Sequence, residues 1–152
     1  MSVLSREDAK QTVDQLKTAG KTVVFTNGCF DILHIGHIRY LKEARELGDV
    51  LIVGLNSDAS VKKLKGEKRP LIQQDQRAEV LDSLESVDYV VIYDENTPEQ
   101  LIRELKPGIQ AKGGDYTPEQ VPEKKALEEY GGRLEILKLV DCDSTTDIIS
   151  KL

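Results

Sequence analysis

The sequence predicts a doubly wound α/β domain, and three observations predict it. Short β-branched or aromatic runs, such as Thr22 to Phe25 and Val50 to Leu55, are too brief and too evenly apolar for amphipathic helices; they suit strands buried on both faces. Between these runs lie segments whose apolar residues recur at helical spacing. The 152 residues contain no linker, repeat or low-complexity stretch, so one core and one domain over 1–152 are expected.

The elements follow in order. Ser5 with Glu7 and Asp8 reads as a capped helix start, and Val13 and Leu16 carry the stripe to a stop at Gly20, so 1–20 holds an N-terminal helix ahead of the core at 21–152. Strand Thr22 to Phe25 runs into the turn signal Asn27-Gly28; Ile38, Leu41, Ala44 and Leu47 then mark a helix ending at Gly48, and strand Val50 to Leu55 follows. The second half repeats the pattern: helix Gln74 to Leu84, strand Tyr89 to Tyr93, and a helix opened by Thr97-Pro98 and closed near Pro107. Ile109 to Ala111 is a weaker strand whose Gln110 suggests a place nearer the sheet edge. Thr117 to Tyr130 is helical with a break at Pro122, Leu134 to Val140 alternates as a strand, and Thr146 to Leu152 forms a last helix. Strands alternating with helices require right-handed crossovers, hence a Rossmann-like parallel sheet with helices on both faces.

Bulk properties narrow the function. A net charge of −6 argues against a broad nucleic-acid or membrane surface, while leaving room for a local basic patch facing a small anion. Cys29 and Cys142 stand far apart, outside any C-x-x-C pair, which indicates neither zinc nor a disulfide framework. With no apolar signal core at the start and no apolar run near the ~20 residues of a membrane span, the protein is expected in the cytosol.

The two histidines of the chain, His34 and His37, stand one helical turn apart just after the first predicted strand. In a doubly wound sheet ligands bind beyond the carboxyl ends of the strands. A helix start there offers unpaired N–H groups and the positive end of the macrodipole, so two imidazoles at that place suit a phosphate. Gly36 between them, and Gly28 before them, would let a phosphate chain approach the backbone. A metal pair with Asp31, or two incidental surface histidines, are the other readings.

His34-Ile35-Gly36-His37 resembles the H-x-G-H signature of the nucleotidyltransferase superfamily, and Ser144-Thr145-Thr146 its second motif. Together with Thr26-Asn27-Gly28-Cys29-Phe30-Asp31, Asn56-Ser57-Asp58, Leu64-Lys65-Gly66, Arg69-Pro70 and Lys112-Gly113-Gly114-Asp115-Tyr116, these motifs resemble the D-glycero-β-D-manno-heptose 1-phosphate adenylyltransferases, the family that makes ADP-heptose for lipopolysaccharide. The resemblance runs from about Lys21 to the C-terminus.

It implies transfer of AMP from ATP to a sugar 1-phosphate, with release of pyrophosphate. Its implied catalytic residues are His34, His37 and Lys65. Nucleotide contacts would come from Thr26, Asn27, Gly28, Phe30, Gly36, Arg77, Lys112, Gly114, Asp115, Ser144 and Thr145, and sugar-phosphate contacts from Asp31 and Asp58. Several have plainer readings: Arg77 as a surface ion pair, Asp58 as a helix cap, Ser144 and Thr145 as a cap of the last helix, and the cationic run Lys62 to Arg69 as a solvated face rather than a clamp over the substrates. Mg²⁺ is expected on the triphosphate oxygens, with no metal site on the protein. The family often has Gly-Cys directly before Ser-Thr-Thr, whereas this chain reads Asp141-Cys142-Asp143 there, and the added carboxylate alters the turn before the second motif. The partners implied are ATP and a sugar 1-phosphate, without nucleic acid or membrane, and the resemblance is compatible with a homodimer. Two rival functions share the motifs: a CTP-dependent glycerol 3-phosphate cytidylyltransferase, and a non-catalytic nucleotide-sensing module.

Overall fold

A computed structural model describes residues 2–114, 116–138 and 145–151. Six strands form one parallel sheet in the order β1-β4-β3-β2-β5-β6: β1 Val3–Leu4, β2 Val23–Gly28, β3 Val50–Asn56, β4 Tyr89–Tyr93, β5 Ile109–Gly113 and β6 Arg133–Leu137. The helices are α1 Arg6–Thr18, α2 Ile35–Glu46, α3 Asp58–Lys65, α4 Gln74–Asp82, α5 Glu99–Leu105, α6 Glu123–Glu128 and α7 Thr145–Ser150. Because β3 and β4 extend the sheet to one side of β2 and β5 and β6 to the other, strand order reverses between β2 and β5, the place where such sheets bind ligands.

The period of two along each strand divides the interior into two cores. Val24, Leu51, Val53 and Val90 face α2 and α4, packing with Leu41, Ala44, Ala78 and Leu81; Val23, Phe25, Ile52 and Val91 face α1, α5 and α6, packing with Val13, Leu101, Ile102 and Leu127. Fully burying one such side chain contributes roughly 1.5–3 kcal/mol, so two continuous apolar faces are enough to fix the sheet between its helix layers. No helix of the described residues is long and apolar enough to cross a membrane.

One expectation is overturned, that of β5 near an edge, and three details are added. The two-residue strand β1, pairing Val3 with Val90 at the sheet edge, has no counterpart in the sequence reading. β5 lies inside the sheet between β2 and β6, not near an edge, and fully buried Gln110 donates from Nε2 to Asn27 Oδ1 across the ladder. The expected helix over 117–130 is a 3₁₀ turn, Pro118–Gln120, followed by α6, with the break at Val121-Pro122. The lysine run falls in the last turn of α3 and the loop behind it, where Lys62, Lys63 and Lys65 complement the negative end of the helix dipole.

Candidate functional site

A cavity of about 770 Å³ opens at the carboxyl ends of β2, β3, β4 and β5. That volume suits a small-molecule site. Its lining includes Thr26, Asn27, Gly28, Phe30, Asp31, His34, Gly36 and His37 from β2 and the entry to α2, Lys65 and Arg69 from the cationic run, and Lys112 from β5.

The two histidines are built into the start of α2. His34 is the cap residue, with extended backbone, and its Nδ1 accepts from Gly36 N–H at 3.1 Å; His37 Nδ1 in turn accepts from His34 N–H at 3.3 Å. An Nδ1 that accepts an amide hydrogen bond has its lone pair engaged, so the proton of each neutral ring sits on Nε2. The helix thus fixes both rings in the same tautomer. Their centroids are 4.0 Å apart at 36°, and the edge of Phe30 packs against His37 at 5.4 Å. Burial lowers the pKa of His37 to about 4, and repulsion from a charged His34 adds to it, so at neutral pH His37 is an uncharged N–H donor.

Glycine at position 28 has a different reason from the one expected. A Cβ there would lie 2.9 Å from the Phe30 ring, and Phe30 itself has φ +46°, so Gly28 makes room for a tightly turned Phe30 that supports His37. Gly114, at φ +133°, plays a similar part for Tyr116, whose ring would meet a Cβ at 2.7 Å.

The acidic and basic candidates divide between the cavity and the frame behind it. Asp31, whose side chain is fully buried, accepts from Arg69 Nε at 2.7 Å and from the N–H groups of Leu71 and Ile72. Its carboxylate therefore pins the loop after α3 and is not free for a sugar phosphate. Asp58 is not the cap of α3, since Ser57 Oγ takes that role from Ser60 N–H; it is the first-turn acid, and it binds Arg77. Arg77 is neither a surface pair nor a lining residue. Its fully buried guanidinium donates to the carbonyls of Ile72, Cys29 and Asn56 and to Asp58 Oδ1. Lys112 lines the cavity but is paired with buried Glu123 at 3.3 Å. Gly114 stands beside the lining residue Gly113, Asp115 and Ser144 lie outside the described residues, and Thr145 opens α7 with only its main chain described.

The structure also brings in Tyr40, Asn56 and Tyr93, to which the sequence assigns no role. Thr26 Oγ1 and Tyr40 OH share a buried 2.7 Å hydrogen bond, and burial raises the Tyr40 phenol to about 12. Asn27 Nδ2 donates to Tyr93 OH, which donates to Asn56 Oδ1, forming a polar floor across the strand ends. The polar residues that end β3 and β4, Asn56 and Tyr93, are the signal that could have found this floor. Nothing in the sequence marked Glu123.

The pinning of the loop is testable. Burial alone would raise the Asp31 pKa, but the Leu71 and Ile72 amides and the Arg69 guanidinium outweigh it and hold the carboxyl below its ordinary value. A lowered folded-state pKa contributes stability that is complete above about pH 4 and is lost as pH falls through the lowered value. Asp31→Asn is expected to destabilise the protein by roughly 1.5–3 kcal/mol at neutral pH. Denaturant unfolding should show the gap from wild type narrowing as the medium is acidified.

Comparison with known proteins adds family evidence. A profile described as cytidylyltransferase-like matches residues 25–150. The bifunctional protein HldE of Syntrophotalea carbinolica is 55% identical over 147 residues, covering 97% of this chain and 30% of that protein. The HldE of Geobacter metallireducens is 58% identical over 140 residues, 92% of this chain and 29% of the relative, and that of Geotalea uraniireducens is 59% identical over 136 residues, 90% and 28% respectively. The chain thus spans under a third of the length of these curated relatives. Among solved structures, the lipopolysaccharide core biosynthesis protein from Thermoplasma volcanium is 30% identical with a TM-score of 0.66, covering 82% of this chain and 100% of that one. A pantoate-β-alanine ligase from Francisella tularensis has a TM-score of 0.67 over 98% of this chain and 76% of its own, but at 16% identity it shares the fold alone.

Proposed function

Because this chain belongs to the cytidylyltransferase-like family, we propose that it transfers AMP from ATP to D-glycero-β-D-manno-heptose 1-phosphate, releasing pyrophosphate and forming ADP-heptose. The observation that carries the reading is the pair of imidazoles at the start of α2, both anchored through Nδ1 in the helix cap and both lining one cavity with Lys65. The ordered motifs from Thr26 to Tyr116, and identity of 55% and above to HldE proteins, support the choice of sugar.

The chemistry needs positioning more than acid–base groups. A phosphate monoester, with a second pKa near ~6, is already largely dianionic at neutral pH, so its oxygen attacks the α-phosphorus of ATP without a general base. The P–O bond to pyrophosphate breaks as the new P–O bond forms, and charge builds on the α-phosphoryl oxygens. His34 and His37 donate to those oxygens, the positive end of the α2 dipole faces them, and Lys65 contributes charge from the end of α3.

Mg²⁺ belongs to this reading as a partner of the triphosphate. Among the described residues no three His, Cys, Asp or Glu side chains converge on a possible metal position, and the Asp31 oxygens are already engaged by Arg69, Leu71 and Ile72. In this reading the ion is held by nucleotide oxygens, where it would neutralise charge on the leaving pyrophosphate.

A panel pairing ATP or CTP with heptose 1-phosphate, other sugar 1-phosphates and glycerol 3-phosphate, read as pyrophosphate release, tests the proposal. ATP with heptose 1-phosphate is expected to dominate. Release that requires CTP and glycerol 3-phosphate would replace it with the cytidylyltransferase reading, and nucleotide binding without turnover on any acceptor would leave a sensing module.

A further inference from the structure

Glu123 is the buried acid that this mechanism does not use. It opens α6 beside the cavity, and the residue is only 3% exposed. Oε1 accepts from Lys112 Nζ, whereas Oε2 is buried with no hydrogen-bond partner among the described residues. Leaving an acceptor of a carboxylate unpaired in a protein interior is costly, and because Glu123 stands in the cavity lining, a donor brought by the ligand would satisfy it.

The surroundings restrict what that group can be. An incoming phosphate would face the carboxylate's own negative charge, and a metal ion would face the Lys112 ammonium 3.3 Å from Oε1. A neutral hydrogen-bond donor meets neither objection. Asn27, Asn56, Tyr93 and Asn96 line the same cavity, an amide- and hydroxyl-rich wall suited to a polyol rather than to the flat face of a base. Burial holds the Tyr93 phenol protonated, and the charge of Glu123 acts in the same direction, which puts the carboxylate within electrostatic reach of that wall.

We propose that Glu123 determines acceptor specificity: Oε2 accepts a hydrogen bond from a hydroxyl of the sugar phosphate while Lys112 fixes the carboxylate through Oε1. This rests on the reading of the acceptor as a sugar phosphate. Glu123→Gln keeps the shape and an oxygen for Lys112 but presents an NH₂ donor where an acceptor is required.

The test measures KM for each substrate in wild type, Glu123→Gln and Glu123→Asp, with thermal unfolding alongside. Glu123→Gln is expected to raise KM for the sugar phosphate about 10–100-fold while KM for ATP changes by less than about twofold. A sugar phosphate lacking the recognised hydroxyl should abolish the difference between wild type and variant. Glu123→Asp keeps the charge but withdraws the oxygen by one methylene, so it supplies the same readout if the glutamine variant does not fold. An unchanged sugar KM in both variants, measured beside a wild type that turns over, or a rise confined to the KM for ATP, overturns this assignment alone. A wild type that turns over no sugar phosphate overturns the parent reading and this one with it.

Discussion

Replacing His37 with alanine is expected to lower turnover by about 10²–10³ while leaving a folded protein, the effect of removing one donor from a site that stabilises developing negative charge. The ring has two jobs on opposite nitrogens, and they can be separated. Nδ1 accepts from His34 N–H and so belongs to the cap of α2; Nε2–H points away from that cap and is the donor available to a phosphoryl oxygen. Loss of the cap costs about 1 kcal/mol of stability. His37→Asn, whose short amide can restore the acceptor near Nδ1 but does not reach the Nε2 position, should recover most of that stability and little turnover. His37→Gln, which places an N–H donor farther out, should recover part of the turnover. Steady-state kinetics and thermal unfolding on the three variants decide the matter, and wild-type kcat in His37→Ala would remove the central role given to the ring.

Titration provides a second handle on the same ring. In the unfolded chain a histidine titrates near 6.5, whereas burial holds His37 at about 4 in the folded protein. Between those values the unfolded state takes up a proton that the folded state refuses, so stability falls as pH drops from about 6.5 towards 4. A proton placed on Nδ1 would also oppose the His34 N–H that donates to it, releasing the cap and the fixed tautomer together. The His37→Asn variant should lose this part of the acid limb.

The fold was legible because burial leaves a period in the sequence. Strands sheltered on both faces read as short apolar runs, and helices covering them read as stripes; these two signals were enough to place β2 to β6 and most of the helices. Two residues, as in β1, cannot display a period, and Gln110 misled because its compensating partner, Asn27, is 83 positions away. The site was legible where a spacing fixes geometry, as for His34 and His37 across one turn. Charged residues were harder, because a sequence shows that a carboxylate or guanidinium is present but not which buried donors and acceptors converge on it. The resemblance implies ligand contacts for Asp31, Asp58 and Arg77, whereas in the structure each holds the loops that shape the cavity. Glu123 carries no motif, and its orphan oxygen exists only once β5 and α6 are packed together.

Arg77→Met is expected to destabilise the protein by about 3–5 kcal/mol, the usual consequence of breaking a fully buried charged network by deleting one partner. Its guanidinium uses its fork of donors to join four segments: Nη1 reaches the carbonyls of Cys29, after β2, and Asn56, at the end of β3; Nε reaches Ile72 ahead of α4; Nη2 reaches Asp58 in the first turn of α3. Methionine fills similar volume but leaves three carbonyls without their donor and the Asp58 carboxylate without its ion pair. For a domain of this size the loss corresponds to a Tm lower by roughly 10 °C. Arg77→Lys keeps the charge but lacks the planar fork, so it should fall between wild type and methionine. The same substitutions separate the framework role from direct phosphate binding. A framework residue moves Tm first and drags activity down with the cavity, whereas a phosphate ligand would raise KM for ATP at constant Tm. The second pattern would return Arg77 to the triphosphate and remove it from the frame.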